Sequence, residues 1–251
     1  YARDEGIPKN TFSAEIGKLK QTYVIAIEEG RLATDSISPF SAVTLKGFTP
    51  AKPKASYTPE HAEILAKEAA SKKRKDVLIN VGISYYTGMR SSELYGCVIK
   101  EVDGVSCFHI KDGKTASSTR NVPLHDHLLE WLKEGGSLPN IGFGFNWASP
   151  TKSEFNKAFN RFSDAYLLKK HGISEHAGTL SHHSFRHGMC TRLFEAGYSE
   201  LEVAHVVGHS AETVGRTETA KTYIKRASPS KLRERINSIE PISLPSIQAA
   251  T

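Results

Sequence analysis

The sequence predicts a mainly helical fold with one small antiparallel β-sheet, an α+β arrangement. Three features predict it. Apolar residues recur at intervals of three and four through several segments of the chain. Helix-opening signals stand in front of several of those segments. Only two short stretches, residues 104–110 and 119–124, carry strand character. With 251 residues, the chain is long enough for one large domain and part of a second.

Taken in order, Phe12, Ile16, Leu19, Tyr23 and Ile27 form the apolar stripe of an amphipathic helix over residues 11–30, ended by Gly30. Pro39 and the stretch TLKGFTPAKPKAS, residues 44–56, read as a linker. Residues 1–50 are therefore expected to be a small helical remnant with its linker, and residues 51–251 the main domain. Thr58-Pro59-Glu60 places a cap before a proline at the first helical position, opening a helix that runs to the basic patch Lys72-Lys73-Arg74-Lys75. From 76 to 96 an apolar helical pattern passes through Gly88 and resumes at Ser91, which leaves Arg90 at a helix junction. GVSCFHI (104–110) and TRNVPL (119–124) read as a hairpin around a turn rich in Gly, Lys and Ser. Helices are expected at 125–134, 151–169 and 182–196, the last closed by Gly197. Ser199 with Glu202 forms a capping box for a further short helix. In the C-terminal segment, from about residue 225, Ser228-Pro229 caps a basic helix, KLRERI, ahead of a polar tail.

Hydrophobic residues make up 39% and charged residues 24% of the chain, the balance of a folded protein rather than a disordered one. No run approaches the roughly 18 apolar residues that a membrane span needs, so no membrane partner is expected. The opening YARDEGIPKN has no apolar stretch for a signal peptide and no initiating Met, so the chain is expected to begin inside a longer protein. Cys97, Cys107 and Cys190 are widely spaced and form no CxxC pair, which suits a reduced cytoplasm. A net charge of +6 and a pI near 9.1 suit a polyanionic partner, because Lys and Arg beside phosphates release condensed counterions.

Three segments carry chemistry only when taken together. In TGMRSSEL, residues 87–94, Arg90 has the ordinary reading of a helix-start residue paired with Glu93. In HSFRH, residues 183–187, His183 and Arg186 share one helix face, which by itself describes a solvated basic surface. His209 in GHS, residues 208–210, reads alone as a helix-end residue, and Tyr223 in TAKTYIK, residues 219–225, as core. Their order changes the reading: Arg, a Lys in a hairpin turn, His-x-x-Arg, Gly-His, Tyr. The series resembles the catalytic set of the tyrosine recombinases of the phage-integrase family, and all six of its positions are filled, by Arg90, Lys114, His183, Arg186, His209 and Tyr223. The flanks resemble the family too. Leu180 to Leu193 looks like its second box, VAHVVGHS (203–210) like its helix ending in Gly-His, and residues 11–40 like the end of its core-binding domain.

The resemblance implies the tyrosine recombinase catalytic-domain fold and an enzyme that breaks and rejoins duplex DNA through a 3′-phosphotyrosine, freeing a 5′ hydroxyl and using no metal or other cofactor. Phosphate chemistry explains the residue types. A phosphodiester anion repels its attacker, and the transition state gathers further charge on the non-bridging oxygens. The planar, permanently charged forks of Arg90 and Arg186 match those oxygens two bonds at a time. Tyr223 is the expected nucleophile, since phenoxide both attacks and leaves well. Tyr85 and Tyr86 precede the first Arg and read as core. The family assigns protonation of the departing 5′ oxygen to a hairpin Lys, which fits Lys114, with Lys111 as the competitor three residues earlier. His183 is expected to accept or shuttle a proton with a pKa near neutral, His209 to bond a phosphate oxygen, and Glu93 to orient the first Arg.

One departure from the family pattern stands out. Fourteen steps separate His209 from Tyr223, with GRTET in the extra length, which reads as a longer loop before the Tyr helix. The expected setting is a phage or mobile-element integrase at the bacterial nucleoid. Further copies of the chain would assemble on DNA as a tetrameric synapse, accessory DNA-bending or directionality proteins would assist, and the segment 225–251 would dock on a neighbouring protomer. Two other classes compete: a type IB topoisomerase with the same active-site logic, and a non-catalytic DNA-binding protein, which leaves the six filled positions without a reason. His182, His183 and His187 also invite a zinc site, but the Glu of HExxH has no counterpart.

Overall fold

A computed structural model describes residues 6–44, 48, 54–94, 97–110, 119–135, 152–173, 180–209 and 227–250. The chain divides into two compact units, residues 1–53 and 54–251. In the first, helix α1 spans Lys9–Glu28 and buries none of its residues. The Tyr23 hydroxyl donates to the carbonyl of Ile37 (3.2 Å), and the rings of Phe12 and Phe48 stack with centroids 5.0 Å apart.

The second unit is built on α2 (Pro59–Ser71) and α3 (Lys75–Thr87), followed by the short α4 (Ser91–Leu94). α2 opens as its caps require. The Thr58 hydroxyl accepts from the amide of His61, and Pro59 takes the first turn. Every residue of α3 from Asp76 to Thr87 is buried, so this helix runs through the core, as its lack of a polar face demands. Its end is set by Gly88, whose left-handed φ of 59° stops the helix. A side chain there would also press on Met189.

Strands β1 (Cys97–Val102), β2 (Val105–Ile110) and β3 (Arg120–Pro123) form one antiparallel sheet in sequence order. β2 pairs with β3 from Cys107↔Pro123 to Ile110↔Arg120, the hairpin the sequence predicts. β1 is an addition to that reading. Asp103 and Gly104 join it to β2 with φ of 52° and 73°, the two-residue turn that suits the twist of a hairpin. This Asp-Gly pair was the available signal for β1. The β2–β3 turn, with Lys111 and Lys114, lies outside the described residues.

Helices α5 (Asp126–Glu134), α6 (Lys152–Ser163), α7 (Ser184–Glu195), α8 (Glu200–Val207) and α9 (Pro229–Asn237) follow among the described residues. α6 continues into a π-helical stretch, Asp164–Lys170, so the helix expected over 151–169 changes pitch before it ends. Ser199 and Glu202 cap α8 reciprocally, and the Ser228 hydroxyl caps α9.

The polar tail expected after α9 is corrected. Ile239, Ile242, Ile247 and Ala250 are buried, the last two in a 3₁₀ turn over Ile247–Ala250 that packs on α2, α3 and α5. Ring and hydroxyl donors hold the backbone down: Trp131 Nε1 on the Pro245 carbonyl (2.8 Å) and the Tyr85 hydroxyl on that of Glu240 (3.0 Å). The Tyr86 hydroxyl accepts from the amide of Ile242 (3.0 Å). Three isoleucines at no regular spacing show neither a helix nor a strand period, which is why the segment reads as polar. Burying each contributes about 1.5–3 kcal/mol.

Candidate active site

Arg90 stands where α3 has stopped and α4 begins. Glu93 folds back on it: one carboxylate oxygen accepts from the Arg90 amide (2.8 Å) and the other from Arg90 Nη1 (2.8 Å). The expected orienting role of Glu93 thus has a geometry. The Arg90 side chain remains 39% exposed, at the mouth of a cleft of about 420 Å³ lined by Ser91, Asn156, Asn160 and His183 among others.

The same carboxylate holds a second arginine that sequence reasoning passed over. Arg120 Nη1 and Nη2 donate to Oε1 and Oε2 of Glu93 at 2.8 and 3.0 Å, fork against fork, and its side chain is only 3% exposed. Burial would raise the Glu93 pKa, but hydrogen bonds and charge from Arg120, with those from Arg90, outweigh it and hold the group at about 2. A signal was present in TRNVPL. The two-residue period of a strand puts Arg120 on the same side as Val122, which is buried.

α7 supplies the next two groups. His183 is its N-cap residue and Arg186 sits in its first turn. Arg186 is 2% exposed, and Nη1 donates to the carbonyl of Gly88 (3.2 Å), joining α7 to the end of α3. Its Nε and Nη2 have no hydrogen-bond partner among the described residues. Burial, then the charges of Arg90 and Arg120, lower its pKa to about 10, so it stays protonated at neutral pH.

The left-handed Gly208 (φ 73°) ends α8 and delivers His209. Burial lowers the His209 pKa to about 4, helped by Arg186, Arg90, His183 and Arg120 in that order. His183 is also held near 4, by burial first and then by His187, Arg186, Arg90 and Lys54. The near-neutral pKa expected for His183 is therefore corrected. A half-buried imidazole among arginines stays uncharged well below pH 6. Arg90, His183, Arg186 and His209 are brought together, close enough for each charge to bear on the others. Three arginines against one carboxylate leave a surplus of two positive charges.

The three clustered histidines take different directions. His182 is turned inward, with Nε2 3.1 Å from both the Ser84 hydroxyl and Asn80 Oδ1, and burial lowers its pKa to about 3. His183 and His187 meet ring against ring, centroids 4.9 Å apart. Among the described residues, no three His, Cys, Asp or Glu side chains gather as potential metal ligands. Tyr223, Lys114 and Lys111 lie outside the described residues, as does the GRTET stretch. Tyr85 and Tyr86 are fully buried, as core residues should be. No helix among the described residues is long and apolar enough to cross a membrane.

Residues 57–227 match the sequence model of the phage integrase family. A search of curated protein sequences found no relative. Solved structures share the fold, two of them with TM-scores above 0.6. Lambda integrase, in a dimer bound to a COC′ core site, superposes with a TM-score of 0.63 at 18% identity, covering 86% of this chain and 78% of that one. The Tn1549 transposon integrase, in complex with circular intermediate DNA, gives 0.61 at 19% identity, covering 94% and 81%. With the family model spanning the sheet and every helix from α2 to α8, the chain belongs to the phage integrase family and is a tyrosine recombinase.

Proposed function

We propose that this recombinase integrates or excises a phage or other mobile element by cutting one strand of duplex DNA at a time through a covalent 3′-phosphotyrosine on Tyr223. The observation that carries the reading is Arg186: a buried, protonated guanidinium with two nitrogens left without partners beside a second arginine. An unpaired buried cation is costly, and the cost is offset when an anion arrives to use it. A phosphodiester supplies that anion, and Arg90, close enough for its charge to bear on Arg186, lines a cleft together with His183.

In this mechanism the Tyr223 oxygen bonds to phosphorus as the bond to the 5′ oxygen breaks. His183, uncharged at neutral pH, takes the phenolic proton. His209, also uncharged, donates a hydrogen bond to a non-bridging oxygen, and Lys114 protonates the departing 5′ oxygen. The freed hydroxyl of a partner strand then reverses the step. Paired guanidinium groups stabilise the transition-state charge, so no metal ion is required. Duplex DNA as partner is supported by the net charge of +6 and by the DNA in both related structures. We propose that copies of the chain assemble on it as a tetramer, and that residues 1–50 are the end of a core-binding domain.

The test is a nicked suicide duplex offered in EDTA. A protein–DNA adduct should form and should disappear in Tyr223→Phe. An adduct that persists in that variant removes Tyr223 as nucleophile, and cleavage that depends on a divalent ion removes the mechanism.

A further inference from the structure

We infer that Arg120 is a positioning residue that leaves the positive charge of Arg90 available to phosphate by occupying the carboxylate they share. The inference rests on the reading that Arg90 grips the scissile phosphate. Glu93 carries one negative charge between two guanidinium groups: its oxygens accept from Arg120 at 2.8 and 3.0 Å and from Arg90 at 2.8 Å through both Nη1 and the backbone amide. The sharing is unequal. Arg120 engages Glu93 with two nitrogens of a side chain that is 3% exposed, whereas Arg90 gives one side-chain nitrogen and keeps 39% of its side chain open to the cleft. Opposite charges interact far more strongly where water is excluded, so Glu93 is neutralised mainly by the buried partner. Arg90 then remains a net cation, oriented by the carboxylate without being cancelled by it.

The position of Arg120 is fixed from two further sides. It begins β3, where it pairs with Ile110 at the end of the described hairpin. The backbone of Gly208 also lies flat against its guanidinium: a Cβ on Gly208 would sit 2.5 Å from Cζ and Nε of Arg120. One buried cation thus touches the carboxylate that aims Arg90 and the residue that delivers His209. Without it, Glu93 would turn its whole charge on Arg90 and compete with the phosphate.

A double-mutant cycle tests this, with adduct formation on a saturating nicked duplex measured in single turnover well below each variant's melting temperature, beside the Kd for that DNA. Arg120→Met, which keeps an apolar stem but removes the guanidinium that meets Glu93 and Gly208, should slow adduct formation by about 30-fold with Kd within about threefold. In the Glu93→Gln background the same change should alter the rate by no more than about threefold, because the charge to be neutralised is gone. This second comparison decides the matter even where Arg120→Met alone fails to fold. A rate loss of about 30-fold in the Glu93→Gln background, or a loss confined to Kd, would overturn the inference. If the wild-type chain forms no adduct at all, the recombination mechanism fails with it. If the wild type forms one and the cycle shows no coupling, only the role of Arg120 falls.

Discussion

Arg120 and Arg186 are buried to the same degree, at 5% and 2% exposure, and each feels the other's charge. Their surroundings differ in one respect. Arg120 meets the carboxylate of Glu93 with two parallel hydrogen bonds, while Arg186 has a single backbone carbonyl and two nitrogens left over. The β3 side of the site is electrically closed and the α7 side is open. Burial therefore does not tell these two arginines apart; the carboxylate beside one and its absence beside the other do. The fold carries the open side because the rest of α7 is anchored. Phe185 and Met189 are fully buried, and Tyr57 packs on Phe185 with ring centroids 4.3 Å apart.

The sharpest way to break this comparison is to remove each side in turn. Arg186→Met should cut adduct formation by about 10³-fold, the scale of losing a charged donor to a transition-state oxyanion. It should leave the melting temperature unchanged or higher, since an unpaired buried charge has gone. A large fall in melting temperature would mean that Arg186 is structural. Glu93→Ala should do the reverse in stability. It removes the buried carboxylate that Arg120 and Arg90 share, and urea unfolding should show a loss of about 3 kcal/mol. A loss below about 1 kcal/mol would mean that the Glu93–Arg120 pair holds little.

The smallest effect expected is the share of the acid sensitivity that Arg186 controls. His183 and His209 have folded pKa values of about 4, below the ordinary 6.5. Between those values the unfolded chain binds protons that the folded chain refuses, so stability falls as pH drops from 6.5 towards 4. Glu93, held at about 2 against an ordinary 4.5, extends the fall below pH 4.5. Urea midpoints measured from pH 7 to pH 4 should decline steadily. They should decline less in Arg186→Met, where a cation that depresses both histidines is absent. An identical decline in the two proteins would detach the histidines from Arg186.

Much of the fold was legible because its signals are local. Thr58-Pro59, Ser199 with Glu202, and Ser228-Pro229 each announce a helix within four residues, and each cap is made. Gly88 and Gly208 end their helices for a reason the side chain alone supplies, the freedom to adopt positive φ. β1 was missed although Asp103-Gly104 marked its turn, because Lys100 and Glu101 interrupt the apolar alternation that marks a strand. The C-terminal tail was misread because its isoleucines have no period of their own and match only the surface of α2, α3 and α5.

By itself, the sequence determined most of the elements and their caps, since each depends on backbone preferences and neighbours a few positions away. Arg90, His183, Arg186 and His209 stood out only through the resemblance that their order carries. Only the tertiary structure decided which arginine is neutralised and which is left open. Glu93 and Arg120 stand 27 positions apart, and nothing local says that they meet. The same holds for the histidine pKa values, which follow from what shields each ring from water and which cations lie nearby. Desolvation and charge act through space, and distance along the chain does not record them.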